Sequence, residues 1–372
     1  MTGARRRDHC YERVTQAPPS TRQKLWRPKR VLVTRSAREW EHGRAIAERT
    51  RALGIETIDL PSDRLALGLP DDERQAYALA KQTLAVTVAT VSQRRLQPIA
   101  PSADWRVDLA TGCPAHCSYC YLAGSLKGPP ITRAYANLPE IFDELPKHLG
   151  LGRVTSRSKH RMGEGTTYEA SCYTDPLGVE HLTGSLSALV AHFGAWDADV
   201  QLRFTSKFDA VEPLLPLDHQ GRTRMRFSLN PPLYAKFEGG TAPVAARLRA
   251  MRRMAEAGYL IGLTIAPIIF AGGWEEAYGQ LVADVGAALD GLQPDLTVEL
   301  ITHRYTAGSK TMLESWYPSS KLDMSAENRA EKRTKFGAIK HVYDKPTMTA
   351  LRNWFEGEIV RNLPNARILY WT

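Results

Sequence analysis

The chain has 372 residues, 43% hydrophobic and 24% charged, a globular composition long enough for one large or two ordinary domains. No apolar run is long enough to span a bilayer and the start lacks a signal-peptide core, so a reducing cytoplasm is expected and disulfides are not. The formal charge is +9, but +7 of it falls in residues 1–30, so the nearly neutral remainder does not demand whole-domain attraction to DNA.

Residues 1–29 read as a basic, Pro-containing disordered arm that touches phosphates or does nothing. Arg30–Thr34 then reads as a buried strand, and residues 36–53 as a helix with Trp40, Ala45, Ile46 and Leu53 on one side, stopped by Gly54. Ile55–Leu60 is a second strand, Asp71–Leu84 a helix and Ala85–Val91 a strand. Together these form a small N-terminal α/β domain, residues 30–100, without the G-x-G-x-x-G turn of a dinucleotide site. From Trp105 onward strands and helices alternate. Strands are expected at 105–109, 166–171, 200–205, 223–229, 260–269 and 296–303, with helices at 138–149, 179–193, 241–257 and 274–289. Such alternation argues for a parallel sheet, and six strands for a partial (β/α)6 barrel over residues 101–372. Its C-terminal extension holds a charged surface helix or loop at Ser319–Lys335, a helix at Met348–Leu363 and a closing strand at Ile368–Trp371.

Thr111 to Leu122 reads Thr-Gly-Cys-Pro-Ala-His-Cys-Ser-Tyr-Cys-Tyr-Leu and holds three of the five cysteines. Cys113, Cys117 and Cys120 are spaced so that one loop can wrap three thiolates around a single inorganic centre. A [4Fe–4S] cluster ordinarily takes four cysteines, so three leave one iron open to a non-protein ligand. The competing reading is a zinc site completed by His116, although structural zinc sites usually use two separated ligand pairs. The C-x3-C-x2-C run resembles that of the radical S-adenosylmethionine (SAM) enzymes, whose cofactor fills the open iron. The loop follows the first barrel strand, at the carboxyl ends where barrel chemistry sits. Cys172 ends the next strand, close to that loop. A lone cysteine is most often a small buried hydrophobe, but a thiol beside a radical generator is also a hydrogen donor. Lys207, Ser228 and His303-Arg304-Tyr305 make other strand ends polar, suited to a zwitterionic cofactor or to ordinary loop solvation. The clusters Arg153–Arg161 and Arg222–Arg226 read as phosphate contacts or, preferably, solvated faces.

From about Arg27 to Thr372 the sequence resembles the spore photoproduct lyase family. The resemblance rests on Leu109–Leu122, Arg133-Ala-Tyr-Ala-Asn-Leu138, Glu169-Ala-Ser-Cys-x-x-Asp175 and Gly178-Val-Glu-His-Leu-Thr183. It continues through Arg224-Met-Arg-Phe-Ser-Leu-Asn230, Ala266-Pro-Ile268 and Glu299-Leu-Ile-x-His-Arg304. It implies a [4Fe–4S] cluster on Cys113, Cys117 and Cys120, SAM as cofactor, and repair of the methylene-bridged thymine dimer in DNA. A 5′-deoxyadenosyl radical takes hydrogen from the lesion, the bridge breaks, and Cys172 returns hydrogen to the product. By the same resemblance Tyr119 and Tyr121 relay the radical, while Tyr119, Thr174, Lys207 and Ser228 contact SAM. It also implies a reductant such as flavodoxin or ferredoxin, and no membrane partner. The chain departs from the family in its basic arm, in an insertion at Arg157–Gly165, and in a shorter Lys335–Tyr343 stretch, which in the family forms a hairpin pressed into the damaged duplex. The alternatives are a relative acting on another nucleotide or a peptide, and a non-catalytic zinc module that binds nucleic acid.

Overall fold

A computed structural model describes residues 25–126, 128–155, 161–327, 329–333, 337 and 339–372. Most of the basic arm and residues 157–160 of the Arg157–Gly165 insertion therefore lie outside the described residues. The part of the arm that is described is anchored: Arg27 Nη2 donates to Leu53 O at 2.6 Å, and Lys29 N to Gln82 O at 2.8 Å.

One eight-stranded curled sheet dominates. Its strands are β1 (Gln97–Ile99), β2 (Ala103–Val107), β3 (Thr166–Ala170), β4 (Val200–Ser206), β5 (Thr223–Leu229), β6 (Leu260–Ile268), β7 (Leu296–Thr302) and β8 (Arg367–Trp371). They lie in chain order across the sheet. β2 through β8 are parallel and β1 runs antiparallel at the edge. The six expected barrel strands are all present, and the partial barrel gains β8 as a seventh parallel member. Alternation along each strand sends Tyr168, Phe204, Met225, Phe227, Leu263 and Val298 into the core under the helices, all fully buried.

A second sheet of five strands takes Glu56–Asp59, Arg30–Val33, Thr83–Thr87, Thr132–Tyr135 and Ala110–Thr111 in that order. Its last two members come from beyond residue 100, so the small layer and the barrel share the cysteine segment.

Several elements differ from expectation for local reasons. The helix expected at 179–193 is two helices, Pro176–Thr183 and Ser185–Ala195, broken at Gly184, whose φ is 68°. The Glu180 carboxylate accepts from Leu186 N and Ser187 N, supplying the acceptor that the second helix start needs. The helix expected at 138–149 stops at Phe142, and Pro146 opens a separate short 3-10 turn. Ser319–Lys335 is neither helix nor plain loop: Arg329–Arg333 pairs antiparallel with Ile339–Tyr343. So the shortened segment still forms a hairpin, whose tip, Gly337 apart, lies outside the described residues.

The inward face of the sheet carries charge. Glu299 accepts from Arg203 Nη2 at 3.0 Å, from Arg226 Nη1 at 2.9 and 2.7 Å, and from Tyr370 Oη at 3.0 Å. Arg226 also donates to Glu169, which accepts from Ser102 Oγ at 2.6 Å. Arg226 fits because Gly262 lies beneath it; a Cβ there would stand 2.4 Å from Arg226 Cγ. This corrects the reading of Arg222–Arg226 as phosphate contacts or a solvated face, since Arg224 and Arg226 are buried in ion pairs. Parallel-strand closure brings the opposite charges together, and a buried ion without its partner is costly. Burial raises the Glu299 pKa, but Arg226 and Arg203 outweigh it and leave the carboxyl below its ordinary range. Glu299→Gln is therefore expected to destabilise the fold by about 3–5 kcal/mol, read as a lower denaturant midpoint. An unchanged midpoint would mean that the network does not support the barrel.

Candidate active site

The cysteine loop is tied down at several points. Ala110–Thr111 pairs with Thr132–Tyr135, and Gly112 turns at φ 77° where a Cβ would strike Ile131 O. His116–Cys117 then pairs antiparallel with Glu238–Gly239, and Ser118 N donates to Phe237 O at 3.0 Å. Buried Lys81 donates from Nζ to Cys113 O and, at 2.5 Å, to Ala115 O. The loop is thus braced from both the small sheet and the barrel.

All three cysteines are free thiols, and Cys117 is buried. Burial is the largest influence on each, pushing Cys113 up to about 12 and also raising Cys117 and Cys120. Without a cation such thiols stay protonated; an iron centre would take them as thiolates. His116 does not complete a tetrahedron with them. As Cys117's neighbour in a strand its side chain faces the other way, and its ring lies 6.3 Å from Tyr77. Among the described residues no three His, Cys, Asp or Glu side chains converge around a point that would hold one metal ion. Cys113 and Cys117 each feel the neighbouring loop cysteines, so the three thiols of this one braced loop form a donor set that fits an inorganic centre.

Beside the loop lies a polar cluster. Tyr119 Oη donates to Glu238 Oε1, which also accepts from Lys207 Nζ at 2.7 Å and Asn230 Nδ2 at 3.1 Å. Arg247 Nη2 donates to Glu238 Oε2 at 2.7 Å. Burial pushes the Glu238 carboxyl upward, but Lys207 and Arg247 outweigh it and bring it down to about 2. Lys207 Nζ also reaches Ala266 O at 3.1 Å, and Ser228 Oγ approaches the same carbonyl at 3.5 Å. Thr174 Oγ1 is buried with no partner among the described residues, a hydroxyl available to a bound group. Asp175, next to it, accepts from Lys207 N at 2.7 Å. Tyr119, Thr174, Lys207 and Ser228 are thereby gathered at one end of the barrel.

Cys172 reaches the same rim. Ser171 N donates to Val107 O at 2.7 Å and Leu109 N to Ser171 Oγ at 3.0 Å, joining the ends of β2 and β3. The Tyr121 hydroxyl donates to Cys172 O, so the residue after Cys120 touches the one bearing the lone thiol. His303, expected at the polar rim, is instead buried. Arg329 Nη1 donates to its carbonyl at 2.8 Å, and burial with Arg329 lowers its ring pKa to about 3. His341 of the hairpin stacks on Tyr305 at 5.0 Å, fixing the hairpin against this rim. A separate cleft of about 770 Å³ opens at the amino ends of the strands, but Asp295 there already pairs with Arg224 and Arg367. The chemistry belongs at the opposite end.

Reading the residues alone did not single out Glu238, Arg247, Asn230 or Lys81. The one local signal was the Glu238-Gly-Gly run, whose Gly240 turns at φ 75° against His116.

A family model described as spore photoproduct lyase matches residues 26–372. The spore photoproduct lyase of Bacillus subtilis (strain 168) is 37% identical over 348 residues, 93% of this chain and 98% of that protein. That of Clostridium acetobutylicum is 28% identical over 344 residues, 92% and 98% of the two chains. A solved structure of a spore photoproduct lyase variant with bound AdoMet and dinucleoside spore photoproduct superposes with a TM-score of 0.86. It is 35% identical and covers 94% of this chain and 100% of that one. With this agreement over nearly the whole length, the chain belongs to the spore photoproduct lyase family.

Proposed function

We propose that this chain is a radical SAM lyase that reverses the spore photoproduct, the methylene-bridged thymine dimer of damaged DNA. The observation that carries the reading is the contact between Tyr121 and Cys172, which puts a lone thiol beside the three-cysteine loop at the mouth of a family barrel. Cys113, Cys117 and Cys120 would hold a [4Fe–4S] cluster. Such a cluster, bound together with SAM, would supply one-electron reduction of the sulfonium and thereby hydrogen-abstracting radical chemistry.

The chain's own residues do the rest. Lys207, Ser228, Thr174 and Tyr119 bind and orient the zwitterionic cofactor from the strand ends. Cys172 returns a hydrogen atom to the product radical, and the adjacent Tyr121, with Tyr119, restores the thiol. The basic arm adds non-specific attraction to phosphates, and a small low-potential donor such as flavodoxin or ferredoxin reduces the cluster. Among the described residues no helix is long and apolar enough to cross a membrane.

Anaerobic incubation of cluster-loaded protein with SAM, dithionite and a synthetic dinucleoside spore photoproduct tests this directly. Conversion to thymidines is the expected result. Release of 5′-deoxyadenosine with no conversion would assign the chain to a different substrate.

Lys207→Met checks the cofactor site. Loss of a charge-assisted hydrogen bond costs about 1.5–3 kcal/mol, so SAM affinity should fall roughly 10- to 100-fold. Equilibrium binding to the cluster-loaded variant measures it, and wild-type affinity would remove Lys207 from the site.

A further inference from the structure

Lys81 is a buried cation that the chemistry above leaves unused. It ends the helix Glu73–Lys81 of the small layer and is 6% exposed. A lysine is seldom buried unless something anionic stands near it. Lys207 shows the ordinary arrangement, its ammonium held at 2.7 Å by the Glu238 carboxylate. Among the described residues no carboxylate pairs with Lys81; its Nζ meets two backbone carbonyls instead, that of Cys113 and, at 2.5 Å, that of Ala115.

Both carbonyls belong to the cysteine loop. Tyr77, one turn earlier on the same helix face, reaches that loop too, its hydroxyl 3.4 Å from His116 Nδ1. The small layer thus lays one face of this helix over the loop. A cysteine sulfur is four bonds from its own carbonyl oxygen, so the Lys81 ammonium lies no further than about 8 Å from the Cys113 sulfur. The thiols register it: burial raises Cys113 and Cys120, and Lys81 is among the groups that oppose it at both. Three thiolates around an iron–sulfur cube make an anion, and an added electron makes it more negative. A fixed cation at this range favours the state richer in negative charge, the more so in a buried site of low dielectric. The loaded loop is therefore the counter-charge that Lys81 otherwise lacks.

We propose that Lys81 is a positioning residue of the cluster site: it clamps the loop by two carbonyls, and its charge raises the reduction potential of the cluster held by Cys113, Cys117 and Cys120. This rests on the cluster reading of the loop. The step it favours is the passage of one electron from a low-potential donor, which is oxidised, to the cluster, which is reduced, with no bond made or broken.

The test is a redox titration of anaerobically reconstituted protein, without SAM or lesion, followed by visible absorbance and by electron paramagnetic resonance. Lys81→Met is expected to lower the reduced-to-oxidised ratio at a fixed potential about tenfold, a midpoint about 59 mV lower for one electron. Lys81→Gln, whose amide donates a hydrogen bond but carries no charge, should shift in the same direction. Lys81→Arg, which keeps both charge and donors, should stay near the wild-type midpoint. A residue that only braced the backbone would cost bound iron without moving the midpoint of the clusters that remain. A loaded Lys81→Met or Lys81→Gln with the wild-type midpoint therefore overturns the proposal. Loss of all loading in both neutral variants would make Lys81 a brace alone and overturns it as well. The two failures are separable: a wild-type protein that takes up no cluster sinks the cluster reading, and a loaded wild type beside an unshifted Lys81→Met sinks this proposal alone.

Discussion

Cys117→Ala is expected to abolish cluster loading and with it all cleavage of SAM. One loop supplies three thiols, so removing one leaves two for a centre already short of its usual four. Alanine should leave the fold in place, because the backbone of His116–Cys117 is held by Glu238–Gly239 and by Ser118 N on Phe237 O. The loss is therefore chemical and not a collapse of the loop. Iron content and visible absorbance after anaerobic reconstitution give the first readout, and chromatographic detection of 5′-deoxyadenosine the second. A variant with a full iron complement and wild-type cleavage would mean that Cys117 is not a ligand.

Cys172→Ala should behave differently. SAM cleavage is expected to continue, since among the described residues Cys172 reaches the loop through its carbonyl and Tyr121 and not through its thiol. Without a hydrogen donor in place the product radical lives longer and meets slower reagents. Repaired thymine should fall at least about tenfold, which a barrier change of about 1.4 kcal/mol already produces. Adducts of the product radical should appear instead. Mass spectrometry of the products separates the outcomes, and a wild-type product profile would remove Cys172 from hydrogen return.

Much of this architecture was legible before any coordinates. The six strands from β2 to β7 were readable because each sets apolar residues on one face between turn signals, alternating with polar ones or running on unbroken. The break at Gly184 was not readable, because its cause is the Glu180 carboxylate folding back onto Leu186 and Ser187. Nor was the hairpin at Arg329–Tyr343, whose outer strand is almost wholly exposed and charged and so lacks any apolar alternation. Arg224 and Arg226 misled for the same reason in reverse: charge in a sequence suggests solvent, and only the closed sheet reveals the acids waiting opposite.

That the three loop cysteines share one loop was determined by the sequence itself, since side chains within eight residues of one another need only a turn to come together. The family likeness likewise marked Cys172, Lys207 and Ser228 from their own motifs. Only the tertiary structure decided what surrounds them: Glu238 under Tyr119 and Lys207, and Tyr121 against the Cys172 carbonyl. Those partners are 31 to 119 residues apart or lie on separate strands, and their meeting depends on how the strands register and how the barrel curls. Local spacing carries no record of that, because long-range contacts are set by the burial of whole faces and not by any neighbour in the chain.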